Sequence, residues 1–361
     1  MFLEEVAYLT WANHYFPLAT FDLGSSGEPT RRAAVISPHE DATLADLTRA
    51  VARHTGRPSN EVTLALGASH GIFLAYAALL SPGSSREPAD VLVESPVYEP
   101  LHRIPQSLGA TVRFFERRPE ENYALDLERI LALVHPRTRV VTVSNLHNPT
   151  GVRAPDATLR RLAQGLAERA PEATLLVDEA YASFDTRCDD DGRYLRSARN
   201  LGDNVVTTSS LTKTFGYGPE RIGWVLANED RTRAMAHQLT AHLGLLPRSM
   251  APIGVSLFAS LATRRDELVS RLPERRALCS AWASSHPALA FHAPSEGLFG
   301  FVRVGGASDL RASIERGFRE HGVIVAPGSF FGDPSGFRLS WAAPYEKLEE
   351  SLERLTRALS L

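Results

Sequence analysis

Between residues 60 and 228, short apolar runs alternate with longer amphipathic stretches. The runs are Val62 to Leu66, Val91 to Glu94, Val112 to Phe115, Val140 to Val143, Thr174 to Val177, Val205 to Thr208 and Ile222 to Leu226. Runs this short, bounded by turn residues, read as strands buried on both faces. Segments of helical length fill several of the gaps: Ser69 to Leu80, Tyr98 to Leu108 and Pro155 to Arg169. Strand and helix in alternation predict a mainly parallel seven-stranded sheet in a three-layer α/β/α domain.

After Asn228 the period lengthens. Glu229 to Leu243 and Ala251 to Ser285 read as long helices, followed by a strand over Gly300 to Val304, a helix over Ser308 to His321 and a strand over Gly336 to Ser340. This part predicts a smaller α+β domain. Pro17, Gly24, Gly27, Pro29 and Pro38 break up the first forty residues, which read as an irregular arm. The expected division is an arm with part of the small domain (1–40), a large domain (41–250) and a small domain (251–361).

A chain of 361 residues, 43% of them hydrophobic, can bury a large core and form a deep pocket. A net charge of −3, with lysines and arginines scattered, argues against nucleic acid as a partner. The acidic start Met1-Phe2-Leu3-Glu4-Glu5 and the lack of an apolar run near ~18 residues point to a cytosolic protein without a membrane span. Cys188 and Cys279 read as free thiols. Glu179, Asp189, Asp190 and Asp191 read as solvated acids, and no metal site is expected.

The candidate chemistry centres on Lys213, in Ser209-Ser210-Leu211-Thr212-Lys213-Thr214-Phe215-Gly216. It follows a predicted strand, and the carboxyl ends of strands are where open α/β sheets place ligands. A primary amine there can form an imine with the aldehyde of pyridoxal 5'-phosphate. That cofactor also needs a carboxylate against its ring nitrogen, and Asp178 ends the apolar run Thr174-Leu175-Leu176-Val177. Tyr181, three residues on, and Asn148, in Asn145-Leu146-His147-Asn148-Pro149-Thr150-Gly151, can hydrogen-bond its phenolate oxygen. The turn Gly67-Ala68-Ser69, between a strand and a helix, offers amides and a hydroxyl to a phosphate; Ser210 and Arg221 flank the lysine and can reach the same anion. Tyr98 can stack on the ring face. Arg338, in the alternating Phe337-Arg338-Leu339-Ser340-Trp341, has a fork that fits a substrate carboxylate.

Together these residues resemble the class I/II aminotransferases of fold type I, from the Gly24-Ser25-Ser26-Gly27-Glu28-Pro29 arm to Arg338. The resemblance implies an aspartate-aminotransferase-like fold and a Lys213 aldimine that moves an amino group between an amino acid and a 2-oxo acid. It assigns Asp178 to the ring nitrogen, Tyr181 and Asn148 to the phenolate oxygen, Tyr98 to the ring face, and Ala68, Ser69, Ser210 and Arg221 to the phosphate. Arg338 takes the substrate carboxylate, with Gly24 in the arm that closes over the substrate. It also implies a homodimer with sites at the subunit interface. One departure stands out: family members carry a tyrosine that reaches the partner's phosphate, and Ile36-Ser37-Pro38-His39-Glu40-Asp41 has none. Either His39 replaces it or the phosphate is held differently.

The same residues would serve a decarboxylase, a β-lyase or an amino-acid oxidase, because the cofactor carries the chemistry and the protein selects the bond. A carboxylate held by Arg338 disfavours its own loss. A non-catalytic sensor on a DNA-binding module fits less well, since the first sixty residues hold no basic helix-turn-helix pattern. Phe16, Leu23 and Gly297-Leu298-Phe299-Gly300 are expected to shape the side-chain pocket.

Overall fold

The computed structural model describes residues 5–31, 39–80, 87–184 and 197–361. Met1 to Glu4, Ile36 to Pro38 and the loop with Cys188, Asp189, Asp190 and Asp191 lie outside the described residues. All seven apolar runs are strands of one sheet. In spatial order they are Val62–Leu66, Ile222–Leu226, Val205–Ser210, Thr174–Asp178, Thr138–Ser144, Asp90–Ser95 and Thr111–Glu116. Only Ile222–Leu226 runs against the rest.

Alternation within each run decides which layer it packs. Leu92, Val141, Val143, Leu175, Val177 and Val205 turn to one face, where Leu159, Leu162 and Leu166 of the helix Asp156–Arg169 cover them. Val91, Val93, Val140, Leu176, Val206 and Val225 turn to the other, against Ile72, Ala75 and Tyr76 of the helix Gly67–Leu79. The central strands are covered on both faces and are largely apolar, with buried threonines at Thr138, Thr142, Thr174 and Thr207, whereas the edge strand Thr111–Glu116 is partly exposed. The register there sets Ser144 beside Asp178 and Asp178 beside Thr208.

The second sheet is antiparallel, in the order Ala326–Pro327, Gly336–Ser340, Phe299–Val304, Leu289–Phe291. Every residue of Gly336–Ser340 is buried, so Arg338 has no solvent face despite the alternating sequence. The amphipathic helix Tyr345–Leu359 packs there through Leu348, Leu352 and Leu355. A helix at Leu44–Thr55 opens on a capping box between Thr43 and Asp46 and stops at Gly56, whose φ is 65°.

Two expectations change. Residues 251–285 form three helices, Met250–Phe258, Leu261–Val269 and Leu272–Ser284, instead of one. Pro273, in the first turn of the third, cannot continue a preceding helix, and the Ser260 hydroxyl bonds the Leu257 carbonyl at the first break. The arm is also more regular than its prolines and glycines suggest: Ala7–Tyr15 is a helix, and Phe21–Asp22 pairs in parallel with Val323–Ile324. Tyr8, Trp11 and Ala12 form its buried stripe at the spacing of one helical face. No described helix is long and apolar enough to cross a membrane.

Gly223 presses on the turn that starts the helix Gly67–Leu79. A Cβ on Gly223 would lie 2.5 Å from the Gly67 carbonyl carbon and 2.7 Å from its Cα, both backbone atoms that cannot rotate away. Gly223→Ala is therefore expected to lower stability by about 1–3 kcal/mol in urea unfolding, the usual cost of overpacking. A variant as stable as the parent would contradict the close approach.

Candidate active site

The strand ends converge on a cavity of about 210 Å³ lined by Lys213, Tyr98, Tyr8, Thr212, Ser25, Ser26 and Glu28 among others. Asp178 lies behind it, 4% exposed. Its Oδ1 accepts the Ala180 amide at 3.2 Å and the Thr208 hydroxyl at 3.3 Å. Burial raises its carboxyl to about 6; those two bonds pull down, Glu94 pushes up, and Lys213 pulls down less. Lys213 opens onto the cavity but is enclosed by protein beyond it. Desolvation lowers its amine to about 8, helped by Arg338 and Arg221 and opposed by Asp178 and Asp22.

The other expected residues take up positions around this pair. Tyr181 is buried, donates to the Ser26 hydroxyl at 2.9 Å and meets Phe299 edge-on at 4.8 Å. Tyr98 is hydrogen-bonded by the Ser69 side chain, and burial raises its phenol. Asn148 Oδ1 accepts Arg338 Nη1 at 2.8 Å, while Arg338 Nη2 donates to the Tyr8 hydroxyl at 2.7 Å and to the Gly24 carbonyl at 2.8 Å. The Ser210 hydroxyl accepts the Thr212 amide. Arg221, held at a φ of 52°, donates to the Leu66 carbonyl. A Cβ on Gly67 would sit 2.6 Å from its Nη2, so the guanidinium lies against the first residue of the helix Gly67–Leu79. A helix amino end and a guanidinium thus face one spot, with the first-turn amides of Ala68 and Ser69 beside it.

Three observations test whether pyridoxal phosphate fits. The Thr212 hydroxyl is buried without a hydrogen-bond partner beside the lysine, and Arg338 Nε is likewise unpartnered. The absence of a side chain at Gly67 lets the Arg221 guanidinium lie directly against the start of the helix, a cation beside first-turn helix amides. Asp178 and Lys213 are each destabilised in their charged forms by the same desolvation, which a positively charged ring and an imine would relieve. The residues fit the group.

Sequence reasoning missed Tyr8, Ser26 and Thr212. The first two come from the arm, Tyr8 from its helix and Ser26 from the irregular segment after Phe21–Asp22, and only the spacing of Tyr8, Trp11 and Ala12 could have signalled that helix. It also misread Glu179, which is buried rather than solvated: Oε2 accepts the Ser197 hydroxyl and Oε1 the Ala198 amide, both at 2.7 Å. Those partners compensate the charge and tie residues 197–198 to the site's strand. Phe16 lines the cavity, whereas Leu23 is core and Phe299 backs Tyr181. His39 is not among the cavity's lining residues. Cys279 is a buried free thiol, pushed up to about 12 by burial.

A family model described as aminotransferase class I and II matches residues 40–355. Capreomycidine synthase of Streptomyces vinaceus is 29% identical over 305 residues, 84% of this chain and 75% of that protein. Histidinol-phosphate aminotransferase 2 of Ralstonia nicotianae is 28% identical over 355 residues, 95% and 87% of the two chains. A solved PLP-dependent aminotransferase from Streptococcus suis shares the fold at a TM-score of 0.83 and 22% identity, covering 100% and 98%.

The raised carboxyl of Asp178 fixes the sign of a stability test on the ligand-free protein. Unfolded, the group ionises near its ordinary 3.8; folded, it keeps its proton to about 6, so folding is penalised increasingly as pH rises between those values. Asp178→Asn keeps the accepted bonds and removes the buried charge. Its stability advantage over wild type should be small at pH 4 and grow to at most ~3 kcal/mol above pH 6, at about 1.4 kcal/mol per pKa unit. Urea unfolding across pH 4–8 measures it, and a variant less stable at pH 8 than at pH 4 relative to wild type would contradict the desolvated carboxyl.

Proposed function

The chain belongs to the class I and II aminotransferases, and from that premise we propose which of its side chains perform each part of the reaction. The enzyme is a pyridoxal 5'-phosphate-dependent aminotransferase that moves an amino group between an amino acid and a 2-oxo acid. When bound, the cofactor supplies an aldehyde that joins amines and a ring that accepts the electron pair left by a departing α-proton.

Lys213 is the base. An amine lowered to about 8 keeps a neutral fraction at neutral pH, so Nζ can take the α-proton and give it back. Asp178 holds the proton on the ring nitrogen, since an acid that resists ionising alone in a dry site binds a cation there strongly. Tyr181 and Asn148 orient the phenolate oxygen, and Tyr98 covers the ring. Gly67, Ala68, Ser69, Ser210 and Arg221 take the phosphate. Arg338, held in place by the Gly24 carbonyl, takes the substrate carboxylate. One observation carries this reading: a single desolvated pocket depresses the amine of Lys213 and raises the acid of Asp178, each feeling the other's charge.

We also infer a cytosolic homodimer. Leu243 and Leu245 are 41% and 83% exposed at the end of the helix Glu229–Leu243, apolar surface of the kind a second copy covers. The free thiol of Cys279 suits a reducing compartment. Distinct core clusters behind the two sheets support a large and a small domain, but Ala251, Leu257, Leu261 and Leu268 pack with Leu47, Val62 and Trp224 of the large one, which favours a boundary later than residue 250.

Holoenzyme given single amino acids without an oxo-acid acceptor should release one equivalent of 2-oxo acid per site. Ammonia, carbon dioxide or hydrogen peroxide would identify a lyase, decarboxylase or oxidase instead. Lys213→Ala should lose covalent attachment of the cofactor and at least ~10²–10⁴-fold in turnover, the scale of a general base; retained turnover would refute its role.

A further inference from the structure

Resting on the reading that Arg338 receives the substrate carboxylate, we propose that the hydroxyl of Tyr8, on the N-terminal helix, is the second ligand of that carboxylate. The argument begins with the donors of Arg338. A guanidinium has five N–H groups and two edges that can grip a carboxylate with two parallel bonds, one formed by Nε and Nη2, the other by Nη1 and Nη2. Both edges use a hydrogen of Nη2. In this structure both Nη2 hydrogens are committed, one to the Tyr8 hydroxyl at 2.7 Å and one to the Gly24 carbonyl at 2.8 Å, and one Nη1 hydrogen goes to Asn148 Oδ1 at 2.8 Å. Nε is buried and has no partner. Arg338 therefore keeps single donors for an incoming carboxylate, and no complete two-pronged edge.

Tyr8 supplies the missing prong. Its oxygen accepts from Arg338, and its own hydroxyl proton has no acceptor among the described residues. It lines the same cavity as Lys213 and is 4% exposed, so a bond from it to a carboxylate forms out of water and polarised by the adjacent guanidinium. The ring is held on every side: edge-on to Tyr98 at 5.9 Å, near Phe330 at 5.9 Å and Phe331 at 5.4 Å, with the Arg338 guanidinium over its face at 5.6 Å. Its backbone amide donates to Glu99 Oε2 at 2.7 Å, and Trp11 of the same helix donates to Glu315 at 3.0 Å. The helix is pinned to both halves of the molecule, so the hydroxyl needs no rearrangement to meet the ligand.

The test uses a matched pair of probes that differ by one carboxylate, 2-aminoisobutyrate and isopropylamine. Their affinities for wild-type, Tyr8→Phe and Arg338→Lys holoenzyme are measured by calorimetry. Tyr8→Phe keeps the ring packing and should weaken 2-aminoisobutyrate about 10- to 100-fold, as expected for loss of a hydrogen bond to a charged group. Isopropylamine should change less than about twofold. With a turned-over amino acid, KM should rise while kcat stays near wild type. Equal weakening of both probes, unchanged binding of both, or a wild type with no preference for the carboxylate would overturn the proposal. If Arg338→Lys leaves 2-aminoisobutyrate unaffected, the assignment of Arg338 itself fails; if only Tyr8→Phe is silent, that assignment stands and the proposal for Tyr8 falls.

Discussion

Everything at this site depends on one constraint: an acid and an amine are kept out of water at the carboxyl ends of a sheet buried on both faces. Neither Asp178 nor Lys213 is comfortable there as an ion. Burial raises the one to about 6 and lowers the other to about 8, each against the pull of its neighbour. In the proposed mechanism that discomfort is the source of reactivity, because a neutral amine is a base and a desolvated carboxylate binds a ring cation strongly. The cost falls on the folded state of the ligand-free protein, and a bound cofactor returns it by supplying the missing positive charge and consuming the amine.

A second buried charge explains how the pocket keeps its shape. Glu94 and Arg117 form an ion pair at 2.9 Å with almost no exposure, and the other Glu94 oxygen accepts both the amide and the hydroxyl of Ser144. The Ser144 hydroxyl in turn accepts the Asn148 amide. Burial pushes the Glu94 carboxyl up, yet it is fully hydrogen-bonded. The loop carrying Asn148 is thus anchored one step behind the cavity. His147 points the same way, bonding the Pro96 carbonyl and the Thr150 hydroxyl, its imidazole held well below its ordinary value by burial. Such a network is rigid because releasing any member leaves a buried charge or polar group without its partner.

The large sheet was legible because strands covered on both faces are short and rich in β-branched and apolar residues, with turn residues closing each run. Asp178 and Ser210 stood out at strand ends, and Lys213 just beyond one. What sequence could not show was convergence across long separations. Tyr8 and Arg338 are 330 positions apart and Tyr181 and Ser26 are 155 apart, yet each pair shares a hydrogen bond. Local composition misled in both directions. Glu179 looked solvated because its partners, Ser197 and Ala198, are contributed by another segment. The arm looked irregular because its helix spans only Ala7–Tyr15 and its prolines and glycines come after it. The helices after Ala251 ran together because their apolar spacing continues through breaks made by backbone chemistry at Ser260 and Pro273.

The division of labour between sheet and arm follows from these facts. In the proposed roles, residues at the strand ends serve groups that every amino-acid substrate shares, its amine, its α-carbon and its carboxylate. The rest of the cavity wall comes from the arm: Leu9, Ala12, Asn13 and Phe16 from its helix and the turn after it, and Ser25, Glu28 and Thr30 from the segment that crosses the lysine. That segment is strapped to the reactive loop by its backbone, Glu28 to the Lys213 carbonyl at 2.8 Å and Arg31 to the Gly216 carbonyl at 2.9 Å. Backbone bonds fix the path of the chain while leaving its side chains unconstrained by the chemistry. Substitutions at Leu9, Asn13 or Phe16 can therefore alter the cavity wall without touching the pair at 178 and 213, whereas Tyr8 of the same helix is tied to Arg338.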